Sequence, residues 1–189
     1  VVGTSSLRRT VLLHALRPDL KIEPLRGNLD TRLRKLDEGQ YAGIVLATAG
    51  LKRLGLAERI RHSFDSDRML PAAGQGAIGI EICDDRPDLA ALLAPLNDLP
   101  TAIRVYAERG VSRTMGGSCS MPLAAHATLN QGVLSISAAW GDPLNSHSPL
   151  VQAQDQCQVA IDSPDALDIA TQLGVKVAKQ LKSLGAVGA

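Results

Sequence analysis

Two adjacent arginines near the start of the chain are the first residues whose type and spacing could do chemistry. Arg8 and Arg9 end the segment Gly3–Arg9, in which Thr4 and Ser6 supply hydroxyl groups. Such residues at a helix start leave backbone N–H groups free at the positive end of the helix dipole. Guanidinium groups add paired donors that match carboxylate or phosphate oxygens. The segment therefore predicts an anion-binding site, and a capped surface helix with solvated charges is the alternative.

Further basic residues follow in the first third of the chain, among them Arg26, Arg32, Arg34 and Arg53. Residues 1–62 hold 12 Lys and Arg against 6 Asp and Glu, a net charge of +6, whereas residues 63–189 hold 8 against 13, a net charge of −5. This asymmetry predicts that an anion binds the first third. Aromatic residues, on which single-stranded nucleic acids stack, are only 2 % of the sequence. A small polyanion is therefore a better ligand than nucleic acid, and we expect no nucleic-acid partner.

Cys119 is the residue best suited to act as a nucleophile. It lies in the segment Met-Gly-Gly-Ser-Cys-Ser-Met-Pro, residues 115–122, where two glycines allow a loop that brings a thiol into a cleft. A cysteine attacks as the thiolate, which nearby positive charge favours. The alternative is a small buried cysteine in a loop. Cys83 and Cys157 lie in apolar, strand-like stretches, and for them we expect that buried structural role.

The number and spacing of the cysteines predict a reducing, cytoplasmic environment. Three widely separated cysteines form no Cys-x-x-Cys pair, and the four histidines have no metal-like spacing, so we expect neither a disulfide framework nor a metal site. No apolar run reaches the roughly 18 residues that span a bilayer, so we expect no membrane partner. The chain starts at Val1 instead of Met, which indicates a fragment of a longer protein.

Alternating helix and strand patterns in the first third must position the arginines. Ser5 or Ser6 can cap a first helix, which Pro18 ends. The apolar face of this helix comprises Leu7, Val11, Leu12, Ala15 and Leu16. A strand over 21–25, a helix that runs from Leu29 to a stop at Gly39, and a strand buried on both faces over 42–48 follow. Strands that alternate with helices predict a parallel α/β layer.

The second half of the sequence predicts a different architecture. The segment Met-Leu-Pro-Ala-Ala-Gly-Gln-Gly, residues 69–76, indicates a hinge or domain crossing. Thr101 is expected to cap a long helix with Ile103, Ala107, Val111 and Met115 on one face, and Ser163 to cap the last helix. The other predicted elements are a strand over 77–82, a helix over 88–96, and strands over 123–129, 133–140 and 150–161. Consecutive strands followed by a helix predict a small α+β domain.

Five segments, taken together, resemble the hydroxymethylbilane synthases, also called porphobilinogen deaminases. That family carries GTSSLRR, LRGN followed by TRL, LA–AGLKRLGL, LPA–GQGA–G–E, and a Gly-Gly-Cys loop that ends in proline. This chain has the matching segments in the same order, at Gly3–Arg9, Leu25–Leu33, Leu46–Leu56, Leu70–Glu81 and Gly116–Pro122. The resemblance extends over almost the whole chain and implies the C-terminal two-thirds of such an enzyme.

The resemblance implies a transferase of tetrapyrrole and haem biosynthesis. Members of the family join four porphobilinogen units head to tail, with loss of ammonia, and release linear hydroxymethylbilane. A covalent dipyrromethane cofactor, held by a thioether to the loop cysteine, primes the growing chain, and by position that cysteine is Cys119. Deaminated porphobilinogen is an electrophilic azafulvene, to which a thiolate can add. The residues that match the family's binders of cofactor and substrate carboxylates are Thr4, Ser6, Arg8, Arg9, Arg26, Arg32 and Gln75.

The resemblance also implies a fold and its boundaries. Residues 1–70 match the latter part of domain 2, a partial periplasmic-binding-protein-like α/β domain. Residues 71–98 match the hinge and a segment that returns to domain 1, and residues 99–189 match domain 3, a small α+β domain with a three-stranded antiparallel sheet and helices. The family's catalytic aspartate lies in domain 1, before this sequence begins, so we expect no catalytic residue and no activity in this chain alone. We expect the parent protein to be a cytoplasmic monomer whose partners are porphobilinogen and the growing polypyrrole.

An anion-binding periplasmic-type module without enzymatic activity is the alternative function. It would share the α/β layer and the basic lining, but it gives no reason for the Gly-Gly-Ser-Cys loop. A nucleic-acid-binding domain would explain the arginines, but not the scarcity of aromatic residues. Only the synthase interpretation predicts a covalent adduct on the protein.

Overall fold

Two small sheets, one parallel and one antiparallel, organise the chain in the computed structural model, which describes residues 1–118, 120–145 and 148–188. The first unit, residues 1–68, contains β1 (Val2–Gly3), α1 (Leu7–Leu16), β2 (Ile22–Glu23), α2 (Leu29–Asp37), β3 (Gly43–Ile44) and α3 (Thr48–Arg53). The second unit, residues 99–188, contains α5 (Leu99–Met115), β4 (Leu123–Asn130), β5 (Val133–Trp140), β6 (Val151–Gln158) and α6 (Ala166–Ser183). A connecting loop, residues 69–76, and an outer segment, residues 77–98 with α4 (Pro87–Leu93), lie between them.

The parallel sheet of the first unit confirms the predicted alternation of strands and helices. Its strand order is β2-β1-β3, and Val2 of the central strand pairs with Ile22 on one side and Gly43 on the other. The sequence sets both helix starts, because the Ser6 hydroxyl accepts the Arg9 backbone N–H and the Asn28 side chain accepts the Thr31 backbone N–H. The βα connections before α1 and α2 therefore end in polar caps, whereas α3 begins after Ala47 without a side-chain cap.

Three predictions for residues 1–98 are wrong in part. The strand expected over 42–48 is only Gly43–Ile44, is half-buried on both faces, and gives way to α3 at Thr48. The strand expected over 77–82 is absent among the described residues: the segment pairs with neither sheet, and Ile78 is 75 % exposed. Apolar alternation favours a strand only where a partner strand exists. The buried face of α1 differs from the predicted apolar face, since Arg8 and Leu13 are buried and Leu7 is exposed.

The antiparallel sheet of the second unit has the order β4-β5-β6 and confirms the three predicted strands. Gln131 and Gly132, with φ of 49° and 79°, form the two-residue turn between β4 and β5. Two successive residues of positive φ are typical of the turn that matches strand twist in a hairpin. One face of the sheet packs on α5 and α6, and the side chains buried there are mostly apolar: Ile103, Ala107, Val111, Met115, Leu134, Ile136, Val177 and Leu181.

The helix caps of the second unit differ by a few residues from those predicted. Asp98 caps α5, and its carboxylate accepts the backbone N–H of Thr101, which was expected to be the cap itself. Asp165 is the residue before the first turn of α6. The predicted cap, Ser163, lies two residues before Asp165, and its hydroxyl accepts the Asp165 backbone N–H. Aspartate and serine are comparable caps, so sequence pattern alone does not separate neighbouring candidates. In the described parts of the chain, no helix has the length and apolarity needed to cross a membrane.

Helices α5 and α6 approach each other at two glycines. A Cβ atom on Gly110 would lie 2.6 Å from the carbonyl oxygen of Thr171, and one on Gly174 would overlap the carbonyl oxygen of Ala107. Because the obstacle is backbone on both sides, a side chain cannot move aside to relieve the overlap. The packing of the second unit therefore depends on the absence of side chains at these two positions.

We expect Gly174→Ala to lower the free energy of unfolding by about 1–3 kcal/mol, because overpacking outweighs the gain in helix propensity. Gly50→Ala is the matched control, since Gly50 lies in a helix with nothing within 4 Å of an added Cβ. Urea denaturation of both variants measures the difference. Equal midpoints for the two variants would show that the helices can separate without cost.

Candidate anion-binding site

A cavity of about 420 Å³ lies between the two units. From the first unit and the connecting loop it is lined by Ser6, Arg8, Arg9, Ala72, Ala73 and Gln75. From the second unit it is lined by Ser112, Gly117, Ser118, Met121, Leu123 and Ala125. The structure thus brings four of the predicted site residues, Ser6, Arg8, Arg9 and Gln75, to the same cavity as the loop that precedes Cys119.

The two units are held together beside this cavity by an apolar contact. Leu12 and Leu13 of α1 form a cluster with Met69 of the connecting loop and with Ala124 and Ala139 of the antiparallel sheet. The connecting loop also pairs with β4, because the backbone N–H of Ala125 donates to the carbonyl of Pro71 at 3.1 Å. The cluster fixes α1, and with it the two arginines, against the second unit.

Arg8 is buried at this junction, with only 5 % of its surface exposed. Its Nη1 donates to the carbonyl oxygen of Leu70 at 2.6 Å and its Nη2 to Oε1 of Gln75 at 3.1 Å. Burial, and to a lesser extent the charge of Arg9, lower the pKa of Arg8 to about 10. The group is therefore still a cation at neutral pH, and an anion in the cavity would relieve its desolvation.

Arg9 is half-buried and faces two cavities. Its Nη1 donates to the carbonyl oxygen of Val45 at 2.9 Å. Burial, followed by the charge of Arg32, lowers the pKa of Arg9. Both arginines also line a second cavity of about 260 Å³, on the side of Thr48 and Phe64. Two adjacent cations that are desolvated together create a positive potential, which favours an anionic ligand.

The start of α1 arranges the hydroxyl residues of the predicted site. Thr4 is buried, its backbone N–H donates to the carbonyl of Glu23, and its Oγ1 accepts the backbone N–H of Ser6 at 3.2 Å. Ser6 in turn caps the helix and lines the cavity. Thr4 therefore supports the helix start, and Ser6 is the hydroxyl that a ligand can contact.

The remaining two predicted arginines lie outside the linings of both cavities. Arg32 of α2 donates from Nε to the carbonyl oxygen of Gly27 at 2.8 Å and lies near enough to Arg9 to lower its pKa. Arg26 is exposed in the turn before α2, and its carbonyl oxygen accepts from Lys35 Nζ at 3.5 Å. The structure places Arg32 beside the site and does not bring Arg26 into it.

The cysteine loop follows α5 directly. Gly116 ends the helix in the left-handed region at φ 112°, and Gly117 has φ 63°. The Ser118 and Ser120 hydroxyls are 2.5 Å apart, and the backbone N–H of Ser120 donates to Ser118 Oγ. Cys119, the predicted nucleophile, lies outside the described residues. The glycines confirm the expected backbone freedom at the end of the helix.

The other two cysteines differ from each other in exposure. Cys157 is half-buried on β6, and burial raises the pKa of its thiol, as expected for a structural cysteine. Cys83 is exposed in the outer segment, so the prediction that it is buried in a strand is wrong. Cys83 is exposed because residues 77–82, which precede it, do not form the predicted strand. In the described chain this segment has no neighbouring strand with which to pair.

Glu108 is a buried charged residue that the sequence motifs do not predict. It lies on the inward face of α5, with 6 % of its surface exposed. Its Oε2 accepts the backbone N–H of Gly74 at 2.6 Å and its Oε1 that of Ala127 at 2.9 Å. The sequence does contain one indication of its burial. Glu108 lies three residues before Val111 and seven before Met115, so helical spacing places it on the apolar face of α5.

These features define a mixed α/β protein in which an arginine-lined cavity lies between a unit with a parallel sheet and a unit with an antiparallel sheet. The sequence model of the porphobilinogen deaminase dipyromethane cofactor binding domain matches residues 1–91. The model of the porphobilinogen deaminase C-terminal domain matches residues 102–183. The chain belongs to the porphobilinogen deaminase family.

Curated relatives give the degree of similarity. The porphobilinogen deaminase of Albidiferax ferrireducens is 61 % identical over 183 residues, 97 % of this chain and 56 % of its own length. That of Paraburkholderia phymatum is 54 % identical over 187 residues, 99 % of this chain and 55 % of its own length. That of Burkholderia mallei is 54 % identical over 186 residues, 98 % of this chain and 54 % of its own length. The chain thus spans somewhat more than half the length of these relatives.

We expect Arg8→Ala to lower the free energy of unfolding by about 1–3 kcal/mol, because the Leu70 carbonyl loses a charged donor at the junction. Arg17→Ala, at the end of the same helix, is the control, since Arg17 pairs with Asp19 at the exposed surface, where such pairs contribute little to stability. Arg8→Lys should restore only part of the loss, because lysine lacks the planar fork. Chemical denaturation compares the three variants, and equal stability of Arg8→Ala and Arg17→Ala would contradict the buried role.

Proposed function

We propose that this chain is the part of a hydroxymethylbilane synthase that binds the carboxylates of a dipyrromethane cofactor and of the porphobilinogen units added to it. In this proposal the parent protein is a cytoplasmic, monomeric transferase of tetrapyrrole and haem biosynthesis. It condenses four porphobilinogen units, with loss of ammonia, into linear hydroxymethylbilane. Its partners are porphobilinogen and the growing polypyrrole, and neither nucleic acid nor a membrane is among them.

One observation carries the proposal: the arginines and the cysteine loop meet at the same cavity. Arg8, Arg9 and Gln75 line one side of it, and Gly117 and Ser118 line the other. Each pyrrole brings an acetate and a propionate, so a growing polypyrrole accumulates negative charge. Guanidinium groups bind carboxylates at two points, and the start of a helix adds backbone donors. A chain of pyrroles held at the loop would therefore meet its counter-charges across the cavity.

The site residues divide the work of binding according to their exposure. Arg9 is half-buried, uses one described bond to Val45, and keeps further N–H donors for a carboxylate. Arg8 is buried and acts mainly through its charge and its hold on the connecting loop. Ser6 and Gln75 offer polar contacts at the cavity, and Thr4 fixes Ser6. We assign Arg26 and Arg32 to carboxylates of a longer ligand that extends past α2.

The residues present fit a covalently held dipyrromethane. That cofactor would supply a primer that stays on the protein while units are added to it. Cys119 would hold it, because a thioether is not reversed by cellular thiols as a disulfide is. The paired charges of Arg8 and Arg9 would bind its carboxylates and would favour the thiolate form of a cysteine held near them.

The proposed domain organisation assigns residues 1–70 to the latter part of a periplasmic-binding-protein-like domain 2 and residues 99–189 to domain 3. Residues 71–98 would contain the hinge and a segment that returns to domain 1. The exposure of the apolar side chains supports this assignment, since Ile78 is 75 % exposed and Ile80 57 %. These isoleucines, exposed in the described chain, would be buried if the segment formed a strand of a sheet in the parent protein.

We expect Cys119 to be the only cysteine that carries a covalent adduct in the full-length protein that contains this chain. Intact mass and peptide mapping locate the adduct. Cys119→Ser should fold, lack the adduct and make no hydroxymethylbilane. Cys83→Ser is the matched control, because Cys83 is an exposed cysteine away from the cavity, and this variant should keep both adduct and activity. An adduct on Cys83 or Cys157 with Cys119 free would refute the assignment.

We expect the 189-residue chain alone to make no hydroxymethylbilane from porphobilinogen. The family's catalytic aspartate is assigned to domain 1, and general acid–base help contributes about 10²–10⁴ in rate. The full-length protein, assayed in parallel with the same substrate stock, is the control. Product formation by the 189-residue chain above the uncatalysed background would show that the aspartate is dispensable or lies within these residues.

A further inference from the structure

Glu108 and Arg8 hold the connecting loop from opposite sides. Arg8 reaches from α1 to the Leu70 carbonyl at 2.6 Å and to the Gln75 side chain at 3.1 Å. Glu108 reaches from α5 to the backbone N–H of Gly74 at 2.6 Å, one residue before Gln75. Arg8, the buried cation, donates to two oxygen atoms of the loop. Glu108, the buried carboxylate, accepts a backbone N–H of the loop. Each charged group therefore has a loop partner of the opposite hydrogen-bonding type.

The backbone of the loop makes this support necessary. Gly74 and Gly76 have φ of 71° and 93°, so Gln75 stands between two residues in the left-handed region. Because glycine permits many backbone conformations, a segment with two glycines does not by itself adopt a single one. The bond from Gly74 to Glu108 selects one of them, in which Gln75 Oε1 accepts from Arg8 and the loop lines the cavity.

We propose that Glu108 is a positioning residue of the anion-binding site. Its carboxylate holds Gly74 and thereby sets the place of Gln75 and the direction of the Arg8 guanidinium at the cavity. The proposal deepens the proposed function and rests on it only for the identity of the ligand. It requires a carboxylate instead of an amide, because both oxygens accept N–H groups, from Gly74 and from Ala127.

The competing role for Glu108 is structural support of the second unit alone. Its Oε1 accepts from Ala127 of β4 and lies 3.6 Å from Nδ1 of His126, and these contacts stabilise the sheet whether or not the loop is ordered. A loss of stability on substitution would therefore not distinguish the two roles. The readout has to report on the loop and on Arg8 directly.

Hydrogen exchange and NMR on the 189-residue chain provide that readout without any ligand. In the unmodified chain the Gly74 amide should exchange at least about tenfold more slowly than an unstructured amide, because its N–H is bonded to a buried carboxylate. In Glu108→Gln the amide group can accept from only one of the two donors, so we expect Gly74 exchange to accelerate about 5- to 150-fold. The Arg8 Nε–H and Gln75 side-chain signals should shift in the same variant.

Asp155→Asn is the matched control, because Asp155 is a carboxylate of the same unit that pairs with Lys176 at 2.7 Å, on β6. It should leave the Gly74, Gln75 and Arg8 signals unchanged. Fast exchange of Gly74 in the unmodified chain, or unchanged Arg8 and Gln75 signals in Glu108→Gln, would overturn the proposal. The first measurement needs no variant, so fast exchange would refute the Gly74–Glu108 bond, and with it the proposal, even if Glu108→Gln does not fold.

Titration with porphobilinogen separates this proposal from the proposed function. If both are correct, the unmodified chain binds porphobilinogen and Glu108→Gln binds it about 3- to 30-fold more weakly, as expected for coupled neighbours. If Gly74 and Arg8 respond to the substitution while neither chain binds porphobilinogen, the positioning role stands and the assigned ligand is wrong. Equal binding by both chains would contradict the positioning role.

Discussion

The burial of the Arg8 guanidinium is the constraint on which the rest of the site depends. A charge taken out of water must be matched by polar groups, and here the connecting loop supplies them through Leu70 and Gln75. The loop in turn has to stay where the cation needs it, and this requires its contacts with β4 and Glu108. Arg8 thereby ties the position of α1 to the position of the second unit, so the cavity between them has a defined shape.

The two neighbouring arginines therefore serve different ends, although they look alike in sequence. Arg8 is almost completely buried and contributes a fixed positive charge, whereas Arg9 is half-buried, with its guanidinium group beside the cavity. A buried cation costs free energy until an anion is near, so ligand binding would recover part of that cost. The site is in this sense prepared for an anion before one arrives.

Local sequence patterns predicted the elements better than they predicted how those elements pack. The caps at Ser6 and the turn at Gln131-Gly132 are set by nearby residues, and both follow from short-range chemistry. The strand expected at 77–82 failed because a strand also needs a partner, which no local pattern contains. Of the candidate site, Ser6, Arg8 and Arg9 follow from the local sequence pattern and Gln75 from the family resemblance. The burial of Arg8 and the contacts of Glu108 depend on segments that are distant in sequence, so no local pattern predicts them.

The turn between β4 and β5 has a consequence for the order in which the protein acquires its structure. Asn130 pairs with Val133 across two residues, so this hairpin closes a very small loop. Val2 of the parallel sheet pairs with Gly43, which lies far along the chain, and closing such a loop costs more entropy. We therefore expect the β4–β5 hairpin to form before the strands of the parallel sheet pair. The arginine cavity can form only when both units are in place, because residues of both units line it.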